Sequence, residues 1–337
     1  MGEWGVIAAL TGRMPAGPLT SVGIGDDAAV IAAPSGSVVA AVDLLLEDRH
    51  FRRDWSSAYD IGVKAAARSL ADIAAMGAVN TALLVALAVP GALAASWPLE
   101  LADGLAAEAA RAGAGIVGGD TARADSVLLS VTALGDLDGR RPVLRSGARP
   151  GDVIAVAGPL GRSAAGLALL SAGVADERPT SEALAGLIAA HRRPSPPYEA
   201  GPEAATLGAT AMIDVSDGLL ADLGHIADAS GVALDVDSSS LVTAGPLSEA
   251  AAFLRSQKFD SSRTVPADSP PRTALEWVLT GGEDHSLVAT FPASTQLPSR
   301  WRVIGQVRAA GGSVAGVAGV TVDGVPHAGP AGWQHFR

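Results

Sequence analysis

The segment Ser37 to Leu46 (SVVAAVDLLL) is a nearly continuous apolar, β-branched run with one aspartate, Asp43, inside it. A run of this kind reads as a strand covered on both faces, which requires helices to cover it. The chain supplies them by alternation. Ser56 and Ser57 offer N-caps for a long helix reaching about Met76 and closed by Gly77. Thr81 to Val89 is the next strand; its apolar stretch stops at Pro90-Gly91, well short of the ~20 residues that span a bilayer. Ser96 with Pro98 opens a second helix ending near Gly113. Ile116-Val117 is a short strand running into Gly118-Gly119-Asp120-Thr121, and Ser126 to Leu134 is another.

A polar stretch rich in glycine and arginine follows, Asp136 to Asp152, and reads as a domain boundary. The pattern then restarts with a strand at Val153 to Ala157, a Gly158 to Ser163 turn and a helix over Ala164 to Leu170. Arg193 to Pro197 is a surface connection, Thr210 to Ile213 a strand, and Gly218 to Ala229 a helix with an apolar face. Residues 237–272 are Ser/Pro-rich without a clear period and receive no assignment. Strands recur near Ser286 to Ala289, Val303 to Val307 and Val317 to Val322. No solenoid-length repeat is present. At roughly 150 residues per domain, 337 residues accommodate two α/β domains, placed at residues 1–138 and 139–337.

Composition narrows the function. The chain is 48% hydrophobic and 18% charged, enough to bury large cores. It has no cysteine, which removes disulfides, thiolate metal sites and a cysteine nucleophile, and fits a reducing cytoplasm. Its net charge of −11 disfavours nucleic acid as a partner. The N-terminus lacks a basic segment followed by an apolar one, and no membrane span is expected. Phosphate ligands remain compatible, because bound cations reverse the local sign.

The acids are therefore informative. Asp26 and Asp27 lie in a glycine turn, Asp43 inside an apolar strand, and Asp72 on a helix face with Lys64 and Arg68. Asp120 follows a Gly-Gly pair at a strand end. Asp214, Ser216 and Asp217 close a turn before Gly218, and Glu283 with Asp284 follows Gly281-Gly282. Any one of these reads equally as a turn acid or helix cap. Six such placements together point to hard oxygen ligands for divalent cations, with magnesium and phosphate the usual combination. No G-x-x-x-x-G-K-[ST] loop, G-x-S-x-G elbow or H-E-x-x-H pair is present, and the six histidines show no ligand spacing. The Gly158 to Ser163 turn is only weakly like a dinucleotide fingerprint; close packing of strand on helix explains its glycines equally well.

Taken together, GIGDDAAV (23–30), VDLLLEDRHF (42–51), LADIAAMGA (70–78), GGDT (118–121), RSGARPGD (145–152), IDVSDGL (213–219), GGEDHSL (281–287) and GWQHF (332–336) resemble the thiamine-monophosphate kinase family. They stand in the family's order across nearly the whole chain. The resemblance implies the fold of the aminoimidazole ribonucleotide synthetase superfamily: an N-terminal mixed α/β sheet domain that dimerises and a C-terminal α/β domain completing an active-site cleft. It implies Asp27, Asp43, Asp72, Asp120, Asp214 and Asp217 as magnesium ligands. It further implies Gly119, Asp120, Arg145 and Ser216 as ATP contacts, and His50, Glu283 and Trp333 as contacts to thiamine monophosphate.

The implied reaction transfers the γ-phosphoryl group of ATP to thiamine monophosphate in line, assisted by several Mg2+ ions, in a cytoplasmic homodimer. No catalytic base is expected, because an acceptor phosphate with a second pKa of ~6 is largely ionised at neutral pH. Val42, Ser69, Ala71 and His285 depart from the residues usual in the family at those positions. Two other readings stay open on the residues alone. One is a different ATP-using member of the superfamily, selenophosphate synthetase being disfavoured by the missing cysteine. The other is a catalytically inactive nucleotide- or metal-binding relative.

Overall fold

The computed structural model describes residues 10, 12–14, 16–24, 28–174, 181–256, 273–310 and 319–333. The chain divides into two compact units, Met1–Pro142 and Val143–Arg337.

The first unit contains β1 (Thr20–Val22), β2 (Val30–Ile31), β3 (Val39–Leu46), α1 (Ala58–Ala75), β4 (Val79–Val89), α2 (Ser96–Arg111), β5 (Gly115–Arg123) and β6 (Leu128–Asp136). Four of these strands form a mixed sheet in the order β3-β6-β4-β5, with β4 and β5 parallel and the other pairs antiparallel. Helix α1 begins where expected: Ser57 accepts from the Asp60 N–H, and Asp60 accepts in return from the Ser57 N–H. Its chain reverses at Gly77, φ 76°. Helix α1 packs on β3, β4 and β6, and α2 packs on α1 and β5. Alanines and branched aliphatics of α1 fill this layer, with Ile61, Leu70 and Ile73 fully buried.

The two-sided cover expected for the Asp43 strand is not found. Strand β3 alternates, with Val42 63% and Leu44 52% exposed. The register places Val42, Thr132 and Leu84 in one row, and Leu44, Ser130 and Ala86 in the next. This is the face of the sheet opposite the helices. An apolar residue at every position looks the same whether or not a helix covers the second face, so pattern alone misread it. Strand β5 is longer than expected, carrying Gly118 to Thr121 within it, so Asp120 lies inside a strand and not at its end.

The second unit contains β7 (Val153–Ala157), α3 (Arg162–Ser171), α4 (Glu182–Arg192), α5 (Ala200–Leu207), β8 (Ala211–Val215), α6 (Leu219–Ser230), β9 (Val232–Val236), α7 (Pro246–Ser256), α8 (Ala274–Thr280), β10 (Ser286–Phe291), β11 (Trp301–Ala309), β12 (Val320–Val322) and β13 (Val325–Pro326). The described strands form one sheet, β13-β12-β9-β11-β7-β10-β8, in which only the β12–β9 pair is parallel. Helix α6 buries Leu219, Leu220, Leu223 and Ile226, the face read from its period, against β8 and β9. The unassigned segment contributes a 3-10 turn at Ser238–Ser240 and α7; its remainder, 257–272, lies outside the described residues. None of the described helices is long and apolar enough to cross a membrane.

Candidate active-site residues in the two units

In the first unit the acids stand on the sheet and on its covering helix. Asp43 of β3 faces α1: Ser69 Oγ donates to its Oδ2 at 2.9 Å, and the Arg68 guanidinium lies 3.8 Å from its Oδ1. Asp72 is half-buried on α1, one turn beyond Arg68. Arg68, which sequence spacing set beside Asp72, lies near Asp43 across the helix–sheet interface. Asp120 is exposed on β5 and accepts from the Thr121 N–H at 2.8 Å.

Gly119 lies against β4 so closely that a Cβ there would sit 1.9 Å from the Val85 carbonyl oxygen. The Gly118 to Thr121 segment also lines a cavity of ≈ 180 Å³ whose other walls are apolar, among them Met14, Val85, Leu87, Leu101 and Leu105. His50 closes the turn after β3. Its Nδ1 accepts from the Leu46 N–H at 3.0 Å, so the ring hydrogen is on Nε2. Asp27 lies outside the described residues.

In the second unit backbone hydrogen bonds bring three separate motifs to one turn. Asp214 and Val215 end β8, and Ser216 to Gly218 turn into α6. The Glu283 N–H donates to the Ser216 carbonyl at 2.8 Å, the His285 N–H to Val215 at 3.0 Å, and the Trp333 N–H to Asp217 at 2.9 Å. Glu283 and His285 hold positive φ, 64° and 52°, so the chain coils tightly here. A Cβ on Gly282 would sit 2.3 Å from the Ser216 carbonyl oxygen, which explains glycine at this crossing. Asp214, Ser216, Asp217, Glu283 and Trp333 are therefore grouped, with Trp333 62% exposed as a residue. Arg145 stands on an exposed loop beside β8, where the Met212 N–H donates to the Leu144 carbonyl at 3.0 Å.

The sequence reading missed Asp222, which holds this turn, and read Asp284 as a cation ligand when it serves main chain. Asp222 Oδ2 accepts from the Asp217 N–H at 3.1 Å and the Gly218 N–H at 3.0 Å. Burial first, then the charges of Asp214 and Asp217, push its carboxyl well above the ordinary range. Its position four residues after Gly218, one helical turn into α6, was the available signal. Asp284 accepts from the Gly161 and Ser163 N–H groups at the start of α3, so that helix end already has its anion. This gives the Gly158 to Ser163 turn a structural explanation. Complete burial raises the Asp284 carboxyl to about 7 against those two hydrogen bonds. Ser163 Oγ lies 3.1 Å from His191 Nδ1, and Glu283 Oε2 lies 3.8 Å from the same nitrogen.

The acids offer hard oxygen donors in both units, and crowded like charges around Asp214, Asp217 and Asp222 favour a cation nearby. Among the described residues, no three acidic or imidazole groups already converge on one ion position.

Comparisons with known proteins identify the family. Residues 25–137 match the family AIR synthase related protein, N-terminal domain, and residues 149–269 its C-terminal domain. The chain is 47% identical over its whole length to thiamine-monophosphate kinase of Mycobacterium tuberculosis H37Rv, covering 92% of that protein. The crystal structure of thiamine-monophosphate kinase from Stenotrophomonas maltophilia K279a superposes with a TM-score of 0.78 at 32% identity, over 97% of this chain and 98% of that one. A structure of AaThiL complexed with AMPPCP and TMP superposes with a TM-score of 0.76 at 29% identity, over 99% and 97% of the two chains. Two AIR synthase-related domains in order, and near-complete alignment to these enzymes, place this chain in the thiamine-monophosphate kinase family.

Proposed function

We propose that this chain transfers the γ-phosphoryl group of ATP to the phosphate of thiamine monophosphate, giving thiamine diphosphate and ADP. The observation that carries this reading is the grouping of Asp214, Ser216, Asp217, Glu283 and Trp333 at one backbone-tied turn, in a chain of this family. The relative complexed with AMPPCP, an analogue of ATP, and TMP supports the substrate pair.

A terminal oxygen of the acceptor phosphate attacks the γ-phosphorus in line, and the bond from that phosphorus to the β,γ-bridging oxygen breaks, releasing ADP. The acceptor is already ionised near pH 7, so no side chain has to remove a proton. The obstacle is repulsion between two polyanions, and the side chains answer it by position and charge. The apolar cavity beside Gly118 to Thr121 suits the adenine base, with Gly119 and Asp120 along its polar edge. Arg145 and Ser216 would receive phosphate oxygens in this reading. The exposed indole of Trp333 offers a π face to the cationic thiazolium ring, and Glu283 a counter-charge. His50, in the first unit, is a further proposed contact to thiamine monophosphate.

Asp27, Asp43, Asp72, Asp120, Asp214 and Asp217 would hold Mg2+ in this reading, all through carboxylate oxygens. Bound magnesium screens the transferring phosphates and orients them. Magnesium binds through few carboxylates and takes waters and substrate phosphates as its other ligands. The exposed Val42, Leu44 and Leu84 on the sheet face opposite the helices suit a homodimer interface through the first unit. ATP as co-substrate suits a cytoplasmic location.

An ADP-release assay tests the reaction. Turnover is expected with Mg2+, ATP and thiamine monophosphate, and much less with thiamine or other monophosphates. No turnover with thiamine monophosphate overturns the proposal, and equal turnover with an unrelated monophosphate points to another superfamily activity.

A further inference from the structure

The Asp214 side chain is only 7% exposed, and a carboxylate so buried requires a partner. Among the described residues its hydrogen-bond partner is His285, whose Nδ1 lies 3.0 Å from Oδ2. An ionised carboxylate can only accept, so Nδ1 donates and Nε2 is left as an acceptor. Nε2 is buried and has no hydrogen-bond partner among the described residues. The far edge of the ring is thus held by packing alone, and its one directional contact is with Asp214.

The backbone aims that contact. His285 sits at φ 52°, its N–H donates to Val215, and the next two residues pair with Val215 and Asp214 in the β10–β8 ladder. The imidazole is therefore delivered to the carboxylate from the adjacent strand, with little freedom to swing away. Oδ2 is occupied, whereas Oδ1 has no hydrogen bond among the described residues.

We propose that His285 is a positioning residue: it ties Oδ2 of Asp214 and so presents Oδ1 to a divalent cation. The inference rests on the reading of Asp214 as a magnesium ligand and adds to it a residue of this chain that sets the ligand's orientation. A hydrogen bond from imidazole to a carboxylate that also binds a metal restricts rotation of the carboxylate about its last torsion, so less order is lost when the ion binds.

The test is a titration of Mn2+ into the full-length protein, following loss of the free-ion EPR signal. His285→Phe is expected to weaken Mn2+ affinity by about 10- to 100-fold. His285→Asn, whose amide nitrogen falls near the position of Nδ1, is expected to stay close to wild type. His285→Gln, whose amide nitrogen reaches instead toward Nε2, is expected to behave like the Phe variant. The half-saturating Mg2+ for turnover should rise in parallel, with kcat recovering at high Mg2+.

If Asp214→Asn loses Mn2+ affinity while His285→Phe keeps it, the positioning role is overturned and the metal reading stands. If neither changes it, both fall. If the Phe variant fails to fold, the Asn and Gln pair decides, and equal affinity in the two overturns the inference.

Discussion

The two units hold their acids in different surroundings. In the first, Asp43 is met by side chains, a serine hydroxyl and a guanidinium from α1, and Asp120 is open to solvent. In the second, Asp214, Asp217 and Asp222 crowd one turn whose main chain is tied by Glu283, His285 and Trp333. Side-chain pairing leaves a carboxylate able to exchange partners at little cost. Backbone ties with like charges packed together leave a rigid site that a cation relieves. The first arrangement suits a group that rearranges when nucleotide arrives, and the second a preorganised one.

The largest effect should come from removing one acid in either unit. Asp120→Asn and Asp214→Asn are each expected to lower kcat on the order of 10²–10³-fold with the fold intact by circular dichroism. If only one does so, the two groups of acids do not serve the same step. Next in size, Val42→Glu places a charge on the exposed face of the edge strand β3 in the first unit. It should convert a dimer to monomer in light scattering, and a dimer that persists removes this face as the interface.

The two glycines at close crossings probe one group of site residues in each unit. A Cβ at residue 119 or 282 forces main chain apart, at about 1–3 kcal/mol in urea unfolding. Gly119→Ala should raise KM for ATP and Gly282→Ala KM for thiamine monophosphate; the reverse pattern would exchange the assignments.

The smallest effect is the pH dependence from Asp284. Its carboxyl is at about 7 when folded and near 3.8 when unfolded, so the folded chain holds the extra proton between those values. The stability this contributes is complete below 3.8 and is lost as pH rises through 7. The wild-type urea midpoint should fall between pH 5 and pH 8 relative to Asp284→Asn. Parallel profiles for the two proteins would contradict the raised value.

Much of this was legible before any coordinates. Ser57 and Gly77 marked the ends of α1, because capping chemistry is local. Val153 to Ala157 and the buried face of α6 followed from periodicity. Strand pairing direction did not follow: alternating strands and helices suggested covered sheets, yet antiparallel pairs dominate both. Ser69 looked like a departure from the family and turned out to hold Asp43, a contact across 26 residues. Asp222 went unnoticed, and Asp284 was read as a cation ligand when it holds the amides of Gly161 and Ser163, because no motif records which amide a carboxylate will meet.

By itself the sequence determined two α/β domains, a set of hard oxygen donors placed beside glycines, no cysteine chemistry, and a resemblance specific enough to name a reaction. These are properties of residue type and spacing, which survive without coordinates. Only the tertiary structure decided that GGED, SDG and the C-terminal Trp333 share one turn, since their meeting depends on hydrogen bonds between segments far apart in the chain. It also decided that the Asp43 strand has an uncovered face, because burial belongs to the packed layers and not to the strand.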